Sequence, residues 1–596
     1  MDILNNNSLM SNTIGNRSMS IDLLKSVAII AVVLYHIGIC KYGYLGVDVF
    51  LVIAGYLTTK SIIRQQENGS FGYFCFLNKR VFRLLPLLLI VSVLSLVLGY
   101  VLMLPMALKN TAESAAATPL FLNNVVQYIT SADYWNGSND YKPLMHTWYV
   151  ALLMQFYVVY ALLLLLGKKL GGGKKYIYVI GFMFMASLLY YLIPTNDASA
   201  KFYLLPARMF EFAAGGGVAL YAMGMLRVKG RLTAYLLLLL LVALLFVNGS
   251  LESGQVKLFI STIFSCALLA LPWEMSSNNI KWKPLRMPVG ALAYLGAASY
   301  SFYLWHQVII AFYRYVINDD FAVSDYLIIF ALCIIIGWLS YRYVERGLDN
   351  ITRLKWGKVT FNIVSVIVLI VIVGCSYKWY KQNGLVRDIP ELELYVATSG
   401  DIESQDYNQR NESMDVDFPE NGKQNILVVG DSFARDWINI LREAGIDSTM
   451  NISLHRDADA VLNDRITKAD YVFVANCSPF DIYYPYLKRM MEKKFFRVGR
   501  KNYTYRNGIV YNNIRYGKDY YSQTFSLQES EEKEMKEEKV VFGEKYIDMM
   551  GPIRQNNGKY AFFTPDKHFY SHDGIHLTHA GAKEYARRLN VKKYFR

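Results

Sequence analysis

Apolar runs long enough to cross a bilayer, about eleven in number, occupy most of the first 380 residues of this 596-residue chain. A spanning helix needs roughly 17–25 apolar residues, because its backbone rises only about 1.5 Å per residue. A chain with so many such runs cannot fold as one soluble domain. The runs lie near residues 21–39, 45–63, 84–105, 147–166, 175–193, 205–225, 232–248, 256–273, 290–315, 324–344 and 359–378.

The net charge of +14 does not indicate nucleic-acid binding, because the basic residues gather at alternate ends of the apolar runs. Loops rich in Lys and Arg remain in the cytoplasm, so this alternation predicts the orientation of the chain. The loops on the opposite side are poorer in basic residues, as in the long loop that holds Lys109 and Lys142. We therefore expect a cytoplasmic tail at residues 1–20 and, with an odd number of spans, an exported C-terminal part.

Beyond the last apolar run, a polar segment precedes a region with globular patterning. Residues 379–424 are rich in Asp, Glu, Asn and Ser without sustained periodicity, which predicts a linker or extension. Residues 425–596 alternate short apolar runs with amphipathic stretches, which predicts a doubly wound α/β domain. The charged run Glu529–Lys539 predicts a solvated helix face or loop. Strands are predicted at Ile426–Val429, Tyr471–Val474, Phe495–Val498 and Ile509–Tyr511.

Two segments of the C-terminal domain carry the residue types of a serine hydrolase. Ser432 follows a buried apolar run in a Gly-Asp-Ser turn, so a strand would present its hydroxyl at the carboxyl edge of a sheet. Asp573 and His576 are three residues apart, and a carboxylate at that spacing can orient the imidazole that takes the serine proton. In the alternative interpretation, Ser432 only caps a helix that begins at Phe433.

The histidines near the C-terminus also admit a metal site. His568, His572, His576 and His579 recur within twelve residues, and zinc takes three or four such ligands. Gly574 interrupts any helix that could align them, and hydrolase chemistry already explains the spacing of Asp573 and His576. We therefore expect no metal.

Lys25 and His36 are ionisable residues at the two ends of a segment within the first apolar run. Eleven residues make three helical turns, so both side chains lie on nearly the same face, about 16 Å apart. Ionisable groups within a bilayer usually serve a function. We expect one near the cytoplasmic entrance and the other deep in the membrane, although a lysine that reaches the interface beside an interfacial histidine has the same spacing.

An ordered set of motifs lies between residues 20 and 350. The motifs are Lys25 with His36, Gly46–Phe50, Gly55–Leu57, Arg80-x-x-Arg83 with Pro86, Pro143–Trp148, Phe202–Pro206 with Arg208 and Glu211, Ser299–His306, and Ser340–Arg346. This ordered set resembles the acyltransferase-3 family of multispan membrane acyltransferases. The chain departs from that family where Lys25 replaces the more usual arginine and where a common glutamate pair after Trp148 is lacking.

This resemblance implies a membrane acyltransferase domain at residues 21–350 and an additional transmembrane helix at 359–378. It implies acetyl-CoA as the cytoplasmic donor. Our hypothesis is that Lys25, Arg80 and Arg83 attract the phosphates of that donor, and that His36 accepts or activates the acetyl group.

The segments Gly430–Ser432 and Asp573–Thr578 resemble the nucleophile block and the terminal block of the SGNH (GDSL-like) hydrolase family. The resemblance implies an SGNH-type domain at 425–596 with Ser432, Asp573 and His576 as its catalytic triad. Asn476 and Asn507 are candidates for its oxyanion donors.

The whole chain resembles a fused subfamily that joins the two domains and O-acetylates cell-envelope glycans. This implies a multi-pass protein of the bacterial cytoplasmic membrane whose partners are the bilayer and a glycan such as O-antigen, peptidoglycan or capsule, without nucleic acid. Two alternatives stay open: an exported carbohydrate esterase, and a transporter of an acylated or lipid-linked molecule.

Overall fold

The computed structural model describes residues 18–130, 137–172, 175–194, 197–224, 231–247, 254–271, 283–317, 320–347, 355–398, 407, 410–476, 480–504, 506–513 and 517–595. Most of the N-terminal tail predicted at residues 1–20 lies outside these ranges. The chain divides into two compact units. The second unit comprises residues 379–596 together with Leu102–Lys109 and a short segment at Tyr315, and the first comprises the rest of the chain.

Each of the eleven predicted apolar runs overlaps at least one helix. The helices before the C-terminal domain are α1 (Met19–His36), α2 (Gly46–Glu67), α3 (Tyr73–Leu102), α4 (Pro105–Ala117), α5 (Asn123–Thr130), α6 (Trp148–Lys169), α7 (Tyr176–Leu192), α8 (Ala198–Tyr203), α9 (Leu205–Gly224), α10 (Arg231–Phe246), α11 (Gly254–Ala270), α12 (Lys283–Ala297), α13 (Ser299–Val316), α14 (Val323–Ser340) and α15 (Lys355–Lys381).

Six helical segments among the described residues are long and apolar enough to cross a membrane, which fits a membrane helical bundle. The total of about eleven spans stays a prediction. The six are Met19–His36, Gly43–Glu67, Tyr73–Leu102, Met145–Lys169, Val323–Glu345 and Gly357–Lys381.

The single run predicted at residues 290–315 is wrong as one helix, because it divides into α12 and α13. The division follows Gly296, which lies against the backbone of α1: a Cβ added there would be 1.7 Å from the carbonyl oxygen of Asp22. Small residues at this point allow the close approach of two backbones.

Close packing and buried charge join α2 to α9 in the first unit. A Cβ at Gly55 would lie 1.9 Å from the carbonyl oxygen of Phe212, so these two backbones nearly touch. Arg208 of α9 pairs with Asp48 of α2 at 3.0 Å and with Glu211 at 2.8 Å, and all three side chains are buried. Charges in an apolar bundle are stable only when paired in this way.

The second unit contains a five-stranded parallel sheet in the order β2-β1-β3-β4-β6, which is a doubly wound arrangement. Strands β5 and β7 form a separate antiparallel pair. The strands are β1 (Asn425–Val429), β2 (Asn451–His455), β3 (Tyr471–Val474), β4 (Lys494–Val498), β5 (Thr524–Phe525), β6 (Tyr546–Ile547) and β7 (Tyr560–Ala561).

Both faces of this sheet are covered, which explains the continuous apolar run in β1. Ile426 and Val428 face one buried cluster, and Leu427 and Val429 face the other. A parallel strand buried on both faces reads as uninterrupted hydrophobic residues rather than as an alternating pattern.

Helices alternate with these strands along the chain. They are α16 (Ser432–Glu443), α17 (Ala460–Lys468), α18 (Tyr484–Met491), α19 (Asn507–Asn512), α20 (Glu529–Phe542) and α21 (His579–Arg588). The charged run within α20 has no buried residue, as expected for a solvated helix.

Two features of the second unit differ from the sequence prediction. The strand predicted at Ile509–Tyr511 is wrong, because these residues lie in α19. The segment predicted as a linker contributes to the core: Leu385, Ile389 and Leu392 are buried in the cluster that covers one face of the sheet.

Strands β1 and β3 are neighbours at the centre of the sheet, and the chain leaves β1 through Gly430. This residue has a φ of +141°, and a Cβ built on it would lie 1.8 Å from the carbonyl oxygen of Ala475, which follows β3. Only glycine allows this conformation and this approach together.

Gly430→Ala is therefore expected to destabilise the second unit by about 1–3 kcal/mol more than Gly422→Ala, because it adds overpacking to backbone strain. Gly422 also has a positive φ, of +74°, but nothing within 4 Å of an added Cβ. Thermal unfolding of the full chain in detergent, monitored through the loss of protease resistance in the second unit, measures the difference in stability. Equal losses in the two variants would contradict the close approach.

Candidate active site

Ser432 is the first residue of α16, at the carboxyl end of β1. Asp431 is the N-cap of this helix, and its side chain accepts a hydrogen bond from the amide of Phe433 at 2.9 Å. The interpretation of Ser432 as the cap is therefore wrong. Its hydroxyl lies at the positive end of the helix dipole, where developing negative charge is stabilised.

Asp573 and His576 form the hydrogen-bonded pair that the sequence predicts. The imidazole Nδ1 lies 2.6 Å from Oδ2 of Asp573, while Oδ1 accepts from the amides of Ile575 and His576. Because a carboxylate only accepts, Nδ1 carries the proton and Nε2 keeps its lone pair. This Nε2 is buried and has no hydrogen-bond partner in the described part of the chain. The ring is thus in the tautomer that can accept a proton.

The two groups shift each other's pKa in opposite directions. Burial alone would raise the pKa of Asp573, but the charges of His572 and His576 and the hydrogen bonds from His576 outweigh it and hold that pKa well below its usual range. Burial alone would lower the pKa of His576, but the bond and charge of Asp573, with a contribution from Asp436, outweigh it and raise the pKa. Asp573 is therefore the charged partner, and His576 is strengthened as a base.

Asp436 connects the helix that begins at Ser432 to the loop that carries His576. Its Oδ2 accepts from the amide of Leu577 at 3.1 Å, and Nζ of Lys501 lies 2.6 Å from the same oxygen. The side chains of this ion pair are each 2% exposed. Asp436 lies one helical turn beyond Ser432, so the pair brings Ser432 and His576 into one region, although the hydroxyl does not donate to Nε2 here. Neither member of the ion pair was identified from the sequence.

The two candidate oxyanion residues have different surroundings. Asn476 follows β3, beside the approach of Gly430 to Ala475, and its Oδ1 accepts from Nη1 of the fully buried Arg497 at 2.7 Å. This bond turns the NH2 group of Asn476 away from Arg497. Asn507 instead donates through Nδ2 to the carbonyl oxygen of Ser571 at 2.6 Å, and so supports the loop that carries Asp573.

The four C-terminal histidines do not converge. His568 donates through Nδ1 to the carbonyl oxygen of Pro390 at 3.0 Å, and His579 lies 3.6 Å from both Glu393 and Glu443. His572, Asp573 and His576 do bring three potential ligand atoms within 4.8 Å of one another. However, the 2.6 Å contact between Asp573 and His576 is closer than two ligands of one zinc ion, which are roughly 3.3 Å apart. This contact fits a shared proton better than a metal.

The first unit contains a cavity of about 130 Å³. Lys25 of α1 and both Arg80 and Arg83 of α3 line it, so the structure brings together the three residues predicted to bind the donor. Tyr149 and Tyr303 are also in its lining. The cavity thus combines three cationic side chains, which are suited to bind phosphate or another anion, with aromatic side chains in its lining.

His36 is buried at the C-terminal end of α1, and its ring contacts a second histidine. The ring centroids of His36 and His306 are 5.2 Å apart, and those of His306 and His146 are 5.1 Å apart. Tyr303, which lines the cavity, has its ring 5.4 Å from that of His306. The sequence motifs contain His146 and His306, but no role was derived for them, because their proximity to His36 depends on tertiary packing.

The sequence profile described as "Acyltransferase domain", of the acyltransferase-3 family, matches residues 19–342. A Komagataeibacter xylinus protein named as a membrane-bound transacylase, BcsY, is 31% identical over 345 residues, which are 57% of this chain and 85% of that protein. The peptidoglycan O-acetyltransferase OatA of Listeria monocytogenes is 27% identical over 55% of each chain.

A Bacillus subtilis protein named as a peptidoglycan O-acetyltransferase, YrhL, is 23% identical over 518 residues, which are 74% of this chain and 80% of that protein. No solved structure matches the chain. Because the matched profile covers more than half of the sequence and includes the cavity, His36 and His306, the chain belongs to the acyltransferase-3 family and is an acyltransferase.

Proposed function

We propose that the protein is an O-acetyltransferase that moves acetyl groups from cytoplasmic acetyl-CoA to hydroxyls of an extracytoplasmic cell-envelope glycan. The membrane unit takes the acetyl group from the donor with the help of His36. The second unit, as an SGNH-type domain, receives it on Ser432 and transfers it to a sugar. The names of two relatives as peptidoglycan O-acetyltransferases support this class of acceptor.

The cavity lined by Lys25, Arg80 and Arg83 is the observation that carries the proposal. An acyl donor that bears phosphates needs cations at the entrance of its site and an uncharged region for its thioester. At about 130 Å³ the cavity is smaller than the roughly 300–1,000 Å³ that encloses a whole ligand. It would therefore hold only part of the coenzyme.

The order of the parallel strands supports the role of the second unit. Ligands of doubly wound sheets bind at the carboxyl ends of the strands, where the order reverses. In this sheet that position lies between β1 and β3, and Ser432 and Asn476 follow those two strands. In our proposal His576 deprotonates Ser432 for the transfer of the acetyl group onto it, and later deprotonates the sugar hydroxyl that receives the group. The Ser432 amide and Asn476 stabilise the oxyanion.

Charge patterning supports the sidedness of the proposal. Basic residues mark the loops of one side, and the second unit includes Leu102–Lys109 from a loop of the opposite side. In a bacterial cytoplasmic membrane with a cytoplasmic N-terminus, that side is extracytoplasmic. The donor and the acceptor are then on different sides, which accounts for both units in one chain.

The first prediction concerns both units together. Cells fed isotopically labelled acetate should carry labelled acetyl esters on an envelope glycan when they express the wild type, and should lose them with either His36→Ala or Ser432→Ala. Mass spectrometry of the isolated glycans measures the label and identifies the sugar. Cys333→Ala, a buried substitution outside the proposed chemistry, is the control for expression.

Other outcomes exclude parts of the proposal. Labelled glycan that persists in one variant removes that residue from the relay. More acetyl ester with Ser432→Ala than with the wild type would identify the second unit as an esterase, because the same triad then removes acetyl groups. No labelled ester in any sample would contradict acetyl transfer.

The second prediction concerns pH. His576 must be neutral to accept the proton of Ser432, and its pKa is raised by Asp573. Activity should therefore fall as the pH is lowered through a midpoint above 6.5, the ordinary histidine value. Release of 4-nitrophenol from its acetyl ester by the full chain, with the Ser432→Ala rate subtracted, measures this midpoint. A midpoint at or below 6.5 would contradict the assigned effect of Asp573.

The third prediction concerns the donor. Arg83→Ala should raise the KM for acetyl-CoA about tenfold or more, because a charge-assisted hydrogen bond contributes roughly 1.5–3 kcal/mol. Lys79→Ala removes a neighbouring charge on the same helix that does not line the cavity and is the matched control. Equal KM values for the two variants would contradict donor binding by Arg83.

A further inference from the structure

Three buried histidines form a cluster in the membrane unit. His306 of α13 is fully buried and lies between the other two, with ring centroids 5.2 Å from His36 and 5.1 Å from His146. The three rings do not form a metal site, because in the described part of the chain only the group at His572 brings three ligand atoms within 4.8 Å of one another.

The hydrogen bond of His306 fixes where its proton is. Nδ1 lies 2.5 Å from the backbone carbonyl oxygen of Tyr303. A carbonyl oxygen only accepts, so Nδ1 carries the proton and Nε2 keeps its lone pair. This Nε2 is buried and has no hydrogen-bond partner among the residues that the structure describes. Buried polar atoms usually have a partner, so this unbonded nitrogen is a candidate for a chemical role.

The ring of His36 is close enough to use this lone pair. The two rings are inclined at 49°. A ring nitrogen lies roughly 1 Å from its centroid, so rings at this separation can bring one nitrogen of each within hydrogen-bond reach. Arg314 binds the backbone of His36: its Nη2 donates to the carbonyl oxygen of His36 at 3.2 Å. This bond does not engage the imidazole of His36.

We propose that Nε2 of His306 accepts the proton that His36 loses when His36 takes the acetyl group, an inference that rests on the proposed function. One nitrogen of His36 attacks the thioester carbonyl, the new C–N bond forms, and the C–S bond breaks. The other nitrogen of His36 gives its proton to Nε2 of His306. That proton then passes to the departing thiolate, so that the products are acetyl-His36 and the free thiol of coenzyme A. His306 is neutral before and after the step.

His306 acts as the base for His36 and does not carry the acetyl group. The hydrogen bond to Tyr303 fixes its tautomer, and the ring of His146 packs edge-on against it at 75°. The base is therefore in place before the donor arrives. General-base assistance of this kind contributes roughly 10²–10⁴-fold to a rate.

The test uses the full chain in proteoliposomes supplied with acetyl-CoA, with release of the free thiol as the readout. His306→Ala should lower kcat about 100-fold, because proton transfer is lost, while KM for acetyl-CoA changes less than about threefold. Added imidazole should restore turnover in a saturable manner, because it can occupy the space of the missing ring. A purely structural role for His306 would not give this rescue.

His306→Gln keeps the side-chain volume and serves as the second variant if His306→Ala does not yield monodisperse protein. It should show the same loss in kcat with KM unchanged. Cys333→Ala, in the buried cluster of Ile37 and Ile310, is the control for packing near the histidines and should turn over as the wild type does. A wild-type rate in both His306 variants, or a loss in His306→Ala that imidazole does not restore while KM is unchanged, would overturn the proposal.

His36→Ala separates this inference from the proposed function. If His36→Ala still releases thiol at the wild-type rate, the role of His36 itself fails. If His36→Ala is inactive while the His306 variants are fully active, only the proton transfer to His306 fails.

Discussion

An imidazole that donates a hydrogen bond from Nδ1 to an oxygen keeps an unprotonated Nε2. Both units of this chain contain such a ring. In the second unit the acceptor is Asp573, and the ring is His576. In the first unit the acceptor is the backbone carbonyl of Tyr303, and the ring is His306. In both places the bare nitrogen is buried and has no partner in the described part of the chain. The proposed chemistry of each unit depends on that nitrogen.

The two acceptors differ in what they do for a protonated ring. A carboxylate stabilises an imidazolium with a full charge, whereas a carbonyl contributes only its dipole. His576 is therefore suited to hold a proton while an acyl-enzyme forms or breaks down. His306, within an apolar bundle, is suited to a brief transfer in which the proton leaves with the thiol. The two rings thus share one tautomer and, in the proposed relay, serve different steps.

Local sequence patterns predicted much of the fold. Apolar runs of the right length located the longer helices of the first unit but not the short helices α4, α5 and α8, and the uninterrupted run in β1 located the strand that precedes Ser432. Strand β2 was missed, because its two apolar residues, Ile452 and Leu454, do not form the continuous apolar run that marks β1. The division between α12 and α13, next to Gly296, was missed too.

In the candidate site too, the residues set by local sequence were predicted and those set by tertiary packing were missed. Ser432, Asp573 and His576 were accessible from the sequence, because two of them are three residues apart and the third follows a strand. The placement of Lys25 and His36 on one face was predictable, because both lie on a single helix. The proximity of His36 to His306 was not, because 270 positions separate them and only the packing of α1 with α13 joins the rings. Asp436 and Lys501 were hidden for the same reason.

The buried pair of Asp436 and Lys501 has a consequence for the conditions under which the second unit can work. Mobile ions screen charges at a protein surface, but they have little access to a pair that is almost fully enclosed. The position of α16, which begins at Ser432, relative to the loop that carries His576 is therefore insensitive to ionic strength. A domain outside the cytoplasm would meet the salt concentration of its surroundings directly, and this contact would keep the same geometry in dilute and in concentrated media.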